Sequence, residues 1–239
     1  MEVYAHRGSH SGYHHTNFEN TMEAFQYALE EQKCDGIECD LRMSQDGVPL
    51  IHHDPITRET NQVIRDTRFN DLQTPYKIPR LEEVFLLLKK TNKQCFLELK
   101  ESDPMLLIKL IRLMDEMQMR EQITCIGFPE HARALLHLAE RCTIRVGLIP
   151  RTPIDVMRAI IQPFHIIMLG WTSPKERNLF LRFSFLLPFV VRLIRRRNKE
   201  IVAGVINNRI DMQEFLDYGI SRIITDNVPE ALFLKNSLM

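Results

Sequence analysis

The chain has 239 residues, of which 44% are hydrophobic and 26% are charged. This balance is typical of a globular protein and excludes a fibrous or disordered one, and the length fits one α/β barrel. Lys+Arg and Asp+Glu are equal at 31 each. Nucleic-acid-binding proteins usually carry a basic excess, so we expect no nucleic-acid partner.

The N-terminal residues and the cysteines predict a cytoplasmic protein. Residues 1–8 contain no basic region followed by an apolar stretch, so we expect no secretory signal. We also expect no membrane-spanning helix, because the chain has no run of about twenty uncharged apolar residues. The five cysteines form no CxxC pair, which favours reduced thiols over a disulfide scaffold.

Short β-rich runs alternate with longer helical stretches along the chain. The predicted strands are 3–6, 36–41, 48–52, 95–99, 123–127, 144–149, 164–169, 201–206 and 222–225. The predicted helices are 19–33, 80–91, 105–118, 129–140, 153–161, 176–197 and 211–217. Most of the strands are continuous apolar runs, typical of parallel strands buried on both faces.

Strand 48–52 interrupts this alternation and is interpreted as a small excursion. The remaining eight strands predict an α/β fold, a single (β/α)₈ TIM barrel. A doubly wound open sheet is the structural alternative. No linker or repeat divides the sequence, so we predict one domain over residues 1–239.

Carboxylates stand at the ends of two predicted strands. Glu38 and Asp40 are two residues apart and therefore share a face, and Glu98 interrupts the apolar run 95–99. These carboxylates either pair with basic side chains in a structural network or converge on a hard cation such as Ca²⁺ or Mg²⁺. The basic side chains considered are Arg7, Arg42 and Lys100. The residues alone leave both interpretations open.

Two histidines, His6 and His53, stand at or just after predicted strand ends. A lone histidine is more often structural than catalytic, but two of them beside carboxylates can act as general base and general acid. Arg7 and Lys100 offer complementary contacts to an anion. This combination favours phosphoryl chemistry.

An ordered set of motifs resembles the glycerophosphodiester phosphodiesterase family. The motifs are AHRG at 5–8, FENT at 18–21, GIECD at 36–40, HD at 53–54, IPRLEE at 78–83, ELK at 98–100 and GISRIITD at 219–226. Each is weak alone, but together they follow the family order and are spread over nearly the whole chain from residue 5.

The resemblance implies a metal-dependent TIM-barrel phosphodiesterase that hydrolyses glycerophosphodiesters to sn-glycerol 3-phosphate and an alcohol. The implied acid/base pair is His6 and His53, and the implied metal ligands are Glu38, Asp40 and Glu98. The implied cofactor is Ca²⁺ or Mg²⁺, with Mn²⁺ as a further candidate. Arg7, Asn20 and Lys100 are implied to bind the substrate and its phosphate, and Glu19 to support the first loop.

Three features depart from the family pattern. The loop 9–17 is long and holds three histidines, which we interpret as a solvated loop rather than an anion or metal site. The segment 54–94 is short compared with relatives that carry a sizeable insertion there. Gly204 and Val205 stand where relatives usually carry Trp-Thr, which widens the pocket.

The wider pocket motivates an alternative, a lysophospholipase D-like hydrolase that acts on lipid phosphodiesters. A further alternative, of a different class, is an inactive barrel that binds a phosphorylated ligand. The predicted partner is accordingly a small-molecule or lysolipid phosphodiester.

The segment 176–197 has more apolar residues than one buried helix face requires, and its end is basic. We predict that it contacts a membrane or the tail of a lipid substrate, or that it forms a homodimer interface. Pro188 within it is expected to kink or break the helix. The corresponding location is cytoplasmic, with peripheral contact at the inner face of the membrane.

Overall fold

The computed structural model describes residues 1–8, 18–74, 77–171, 177 and 184–237. Its strands are β1 (Glu2–Ala5), β2 (Gly36–Met43), β3 (Pro49–Ile51), β4 (Gln94–Leu99), β5 (Ile123–Gly127), β6 (Arg145–Leu148), β7 (Ile166–Leu169), β8 (Glu200–Gly204) and β9 (Arg222–Thr225). Its helices are α1 (Met22–Gln26, continued by a π-helical turn over Tyr27–Glu31), α2 (Leu81–Thr91), α3 (Pro104–Glu116), α4 (Ala132–Cys142), α5 (Pro153–Ile161), α6 (Leu187–Arg196), α7 (Arg209–Asp217) and α8 (Val228–Ser237).

Eight of the strands form a closed parallel barrel. β1 pairs in parallel with both β9 and β2, which joins the two ends of the strand order β1-β9-β8-β7-β6-β5-β4-β2. β3 lies outside this ring and pairs antiparallel with the end of β2. The predicted TIM barrel and the excursion at 48–52 are therefore confirmed, and the open sheet is excluded. The single domain over 1–239 stays a prediction.

The lower part of the barrel interior is apolar. Tyr4 packs edge-on against Phe96 with ring centroids 4.7 Å apart. A Cβ atom at Gly36 would lie 2.7 Å from the Tyr4 ring and 2.3 Å from the carbonyl oxygen of Gln94, so only glycine fits beside this pair. The buried interior side chains are Tyr4, Phe96, Ile126, Ile166, Met168, Val202 and Ile224.

Alternate residues of β2 face the barrel interior, so Glu38 and Asp40 point inward like Gly36 but lie nearer the carboxyl end of the strand. Asp40 pairs in register with Glu98 across the β2–β4 ladder. Because adjacent residues in register point to the same face, the three carboxylates lie together at the carboxyl end of the barrel.

Two predicted helix boundaries are wrong for identifiable reasons. α1 begins at Met22 rather than at residue 19, because the Thr21 hydroxyl accepts from the amide of Ala24 at 3.2 Å and caps the helix there. The helix expected over 176–197 is interrupted: α6 begins at Leu187, after the 3₁₀ turn Ser184–Leu186, with Pro188 in its first turn, so the expected break is present. Proline is tolerated in that turn, where its missing N–H would have had no helical partner.

α8 was not predicted, because its apolar residues are not confined to one face: Phe233 is 59% exposed while Val228, Ala231 and Leu234 are buried. All five cysteines are free thiols, as expected. No helix in the described ranges is both long and apolar enough to cross a bilayer. The histidine-rich loop 9–17 and residues 176 and 178–183 lie outside the described residues.

Candidate active site

Three buried carboxylates converge at the carboxyl end of the barrel. Glu38, Asp40 and Glu98 are 2%, 0% and 7% exposed. One oxygen from each lies within 4.8 Å of the others. Glu38 Oε1 is buried and accepts no hydrogen bond from any described residue. An all-oxygen donor set with a buried unsatisfied atom fits a hard divalent cation.

Two basic side chains contact these carboxylates. Lys100 Nζ lies 2.5 Å from Glu98 Oε1 and 3.0 Å from Asp40 Oδ1. Arg7 Nε lies 3.3 Å from Asp40 Oδ2. Two of the three basic side chains considered from the sequence therefore pair with the cluster, whereas Arg42 pairs with Glu101. Two cations face three carboxylates, so a negative excess remains for a metal ion.

The excess of negative charge also affects the pKa values of these carboxylates. Burial raises the pKa of Glu38 well above its usual range, and the nearby charges of Asp40 and Glu98 raise it further. Burial alone would also raise the pKa of Asp40, but Lys100 and Arg7 hold it below its usual value. A cation bound at this position would therefore stabilise the ionised form of Glu38 more than that of Asp40.

The first loop is bound to the cluster through Arg7 and Asn20. The backbone amide of Arg7 donates to Glu38 Oε2 at 3.1 Å, and Asn20 Nδ2 donates to Asp40 Oδ2 at 2.7 Å. Both residues have a positive φ, 51° and 58°, which turns the chain sharply at each point. Glu19 accepts from Arg7 Nη1 at 3.1 Å and from Arg58 Nη2 at 3.2 Å, so the residue predicted to support this loop bridges two arginines.

His6 is held by the last strand of the barrel. Its Nδ1 lies 2.6 Å from Asp226 Oδ1, and its Nε2 lies 3.7 Å from Glu38 Oε2. Asp226 Oδ2 in turn accepts from Asn207 Nδ2 at 2.7 Å. A carboxylate at Nδ1 leaves Nε2 as the nitrogen that faces the carboxylate cluster.

His53 has the same arrangement with a different partner. Its Nδ1 lies 2.7 Å from Asp54 Oδ1, and Arg58 Nε donates to Asp54 Oδ2 at 2.9 Å. Burial alone would raise the pKa of Asp54, but hydrogen bonds from His53 and Arg58 lower it to about 2. The carboxylate is therefore ionised, so His53 carries its proton on Nδ1 and leaves Nε2 without one.

Burial also lowers the pKa of His53 below its usual value, and the positive charges of Lys100 and Arg7 act in the same direction. The neutral imidazole is therefore the dominant form near pH 7. A neutral imidazole with a bare Nε2 can accept a proton.

The opposite side of the barrel mouth is apolar. Ile149 and Val205 pack on the interior layer that contains Met168 and Ile224. Gly204 precedes Val205, and a Cβ atom there would lie 3.0 Å from Ile224 Cβ and 3.4 Å from Met168 Cε. The mouth thus has a polar side that includes Asp226 after β9 and an apolar patch formed by Ile149 and Val205.

Sequence reasoning did not assign site roles to Arg42, Asp54, Asn207 and Asp226. Arg42 shares the face of Glu38 and Asp40 by strand alternation, which is a signal that could have found it. Asp54 and Asp226 end recognised motifs, so their positions were visible but their partners were not. Asn207 left no signal in the sequence, because its contact with Asp226 spans two loops.

Residues 6–124 match the sequence model of the glycerophosphoryl diester phosphodiesterase family. This range includes both histidines, all three carboxylates and Lys100, and the motif at 219–226 supplies Asp226 from outside it. The chain belongs to this family.

Relatives extend the similarity over nearly the whole chain. A glycerophosphodiester phosphodiesterase of Caldanaerobacter subterraneus subsp. tengcongensis is 24% identical over 249 residues, covering 96% of this chain and 95% of the relative. The crystal structure of a glycerophosphodiester phosphodiesterase from Thermotoga maritima superposes with a TM-score of 0.77 at 23% identity, covering 98% of this chain and 96% of the other.

An Oleispira antarctica phosphodiesterase, solved in complex with the product sn-glycerol-3-phosphate, superposes with a TM-score of 0.72 at 18% identity, covering 99% of this chain and 97% of the other. At these identities, the two structural matches show a shared barrel. The family resemblance seen in the sequence motifs is confirmed.

Proposed function

We propose that this family member hydrolyses glycerophosphodiesters to sn-glycerol 3-phosphate and an alcohol. The observation that carries the proposal is the buried cluster of three carboxylates beside two histidines, each held at Nδ1 by a carboxylate. The names of the relatives and the product bound to the Oleispira antarctica phosphodiesterase support the same substrate class.

Glu38, Asp40 and Glu98 would hold a divalent cation, and the oxygen-only donor set favours Ca²⁺ or Mg²⁺, with Mn²⁺ as a third candidate. When bound, the cation neutralises charge on the phosphate oxygens and polarises the phosphorus centre. Asn20 holds Asp40 in place through its 2.7 Å hydrogen bond.

Arg7 and Lys100 bind the phosphodiester through its anionic oxygens. Both lie within 3.3 Å of Asp40, so their positions are fixed before the substrate arrives. A preorganised cation at a developing negative charge stabilises the transition state, because it does not have to reorient during the reaction.

His53 acts as the general base and His6 as the general acid. His53 Nε2 takes a proton from the attacking oxygen, which belongs to water or to a substrate hydroxyl whose cyclic product water then opens. A bond forms from that oxygen to phosphorus, and the bond from phosphorus to the leaving alcohol breaks. His6 donates a proton from Nε2 to the leaving oxygen while Asp226 accepts from its Nδ1–H.

A lysophospholipase D-like activity on lipid phosphodiesters is the second candidate. The apolar side of the mouth at Ile149 and Val205 favours it, because an acyl chain needs an apolar surface beside the phosphate site. The intact set of histidines and carboxylates argues against an inactive phospho-ligand-binding barrel. A cytoplasmic location, peripheral contact at the inner face of the membrane and a homodimer through 176–197 stay predictions.

The test is turnover of glycerophosphocholine, glycerophosphoethanolamine and lysophosphatidylcholine by purified protein with EDTA, Ca²⁺, Mg²⁺ or Mn²⁺. We expect release of sn-glycerol 3-phosphate from the first two only when a metal is added. Faster cleavage of the acylated substrate would favour the second candidate. Binding of sn-glycerol 3-phosphate without turnover of any substrate would establish the inactive barrel instead.

A further inference from the structure

The segment around α6 carries a concentration of positive charge in a chain with no net charge. Residues 177–199 contain seven Arg and Lys side chains and no Asp or Glu. Four of these arginines lie at the end of α6 or just after it: Arg192, Arg195, Arg196 and Arg197. A local cationic excess on a neutral protein indicates an anionic partner at that surface.

Aromatic side chains and arginines share one outward face here. We define the outer stripe as Phe185, Phe189, Arg192 and Arg196, which follow one another at intervals of four, three and four residues. Residues at these spacings lie on the same side of a helix. Phe185 is 72% exposed and Phe189 67% exposed, and both arginines are exposed.

The opposite face of α6 already supplies the packing that a barrel helix needs. Leu187, Val191 and Ile194 are buried against the strands. The exposed phenylalanines are therefore additional to the core contacts. Large exposed apolar side chains that stability does not require mark a contact surface.

A groove beside the outer stripe adds sites for phosphate groups. It is lined by Pro188, Val191, Arg192, Arg195, Arg196, Asp217 and Tyr218. Arg195 Nη2 donates to the carbonyl oxygen of Gly219 at 2.6 Å. Three arginines against one aspartate leave the groove positive, which suits the phosphates of lipid headgroups.

We propose that the outer stripe and this groove form a docking surface for an anionic phospholipid membrane. Phe185 and Phe189 insert between the headgroups, while Arg192 and Arg196 bind lipid phosphates, as in interfacial helices. This proposal identifies a membrane as the partner of the protein. It rests on the proposed function only where the substrate is a lipid.

The experiment is flotation of the full chain with vesicles of phosphatidylcholine and phosphatidylglycerol in equal parts. We expect co-flotation at low salt and its loss in about 1 M NaCl, where the Debye length is about 3 Å. The double variant Phe185→Asp, Phe189→Asp should not float. Arg192→Gln with Arg196→Gln should weaken binding about 25-fold, since each arginine near an anionic surface contributes roughly fivefold.

Phe233→Asp is the matched control, because Phe233 is 59% exposed on α8 and lies outside the outer stripe. It should float like the wild type. The far-UV circular dichroism spectrum should stay unchanged in every variant, which shows that each is folded and keeps the test independent of the proposed activity.

Absence of flotation by the wild type would overturn the proposal, even if soluble substrates are hydrolysed. The proposal would also be overturned if the protein does not bind vesicles and light scattering shows a dimer that the double variant Phe185→Asp, Phe189→Asp separates into monomers. That result would assign the surface to a second copy of the chain.

Discussion

Arg42 holds the backbone carbonyl oxygen of His53 with two hydrogen bonds, from Nε at 3.0 Å and from Nη2 at 2.7 Å. Its Nη1 donates to Glu101 Oε1 at 3.3 Å, and the side chain is largely buried. Arg42 lies on β2, which carries Glu38 and Asp40. The guanidinium therefore fixes the distance between a proposed proton carrier and two proposed metal ligands.

We predict that Arg42→Gln lowers kcat about 10- to 100-fold while KM and metal affinity change little, because a displacement of about 1 Å can cost that much. Arg42→Lys should retain more of the wild-type kcat than Arg42→Gln but not all of it, since an ammonium group cannot make the forked contact. The decisive measurement is a double-mutant cycle with His53→Ala. If Arg42→Gln reduces kcat equally in that background, Arg42 does not act through His53.

Glu38→Ala, Asp40→Ala and Glu98→Ala are each expected to abolish activity by removing a ligand from a three-carboxylate site. Calorimetric titration with Ca²⁺ and Mg²⁺ should show the loss of binding directly. Asp211→Ala is the control, because Asp211 is also a buried carboxylate but pairs with Arg177 away from the site. A variant with unchanged affinity and turnover would remove that residue from the ligand set.

His6→Ala and His53→Ala should each lower kcat by about 10²–10⁴-fold and leave metal binding intact. A nitrophenyl ester of glycerol 3-phosphate separates the two roles, since its leaving group needs little protonation. On that substrate His6→Ala should be nearly as active as the wild type, and His53→Ala should stay impaired. The exposed His137→Ala serves as control. Equal impairment of both variants on the activated ester would contradict the assignment of His6 as the acid.

The pKa of His53 is lowered from 6.5, mainly by burial. A general base works in its neutral form, so the acidic limb of kcat/KM should lie at this lowered pKa, below 6.5. The hydrogen bond from His53 to Asp54 raises that pKa. Asp54→Asn should therefore move the acidic limb to lower pH and reduce kcat about 10²-fold or more, through loss of the correct tautomer. A limb that moves to higher pH would contradict the assignment.

Gly36→Ala should destabilise the barrel by about 1–3 kcal/mol, in the range of overpacked cores. The added Cβ would meet the Gln94 carbonyl oxygen at 2.3 Å and the Tyr4 ring at 2.7 Å, and neither can move freely. Gly127→Ala is the control, since its nearest contact would be 3.4 Å. Urea denaturation of both variants measures the difference. An equal stability of the two variants would show that the β1–β2–β4 contact can expand.

Much of the fold could be predicted from the sequence, because fully buried parallel strands leave uninterrupted apolar runs. Strands β5 and β9 were predicted with their observed bounds, Ile123–Gly127 and Arg222–Thr225. Helix α8 could not be predicted, since its apolar residues are spread over more than one face. The start of α1 was misplaced because a cap by Thr21 depends on the conformation of the preceding turn.

The carboxylate cluster could be predicted because strand alternation and the β2–β4 register are local rules. The contacts that hold the histidines could not be predicted from the sequence. His6 and Asp226 are 220 residues apart, and Arg42 reaches His53 through a backbone oxygen that no motif specifies. Long-range polar contacts depend on loop conformation, which periodicity does not encode.

The hydrogen bond between His6 and Asp226 joins the first strand of the barrel to the last. During synthesis Asp226 leaves the ribosome long after His6, so a nascent chain cannot position this imidazole early. A truncated chain that lacks β9 also lacks the edge that closes the ring onto β1. The enzyme should therefore gain activity in one step, at ring closure, and partial translation products should not hydrolyse phosphodiesters in the cell.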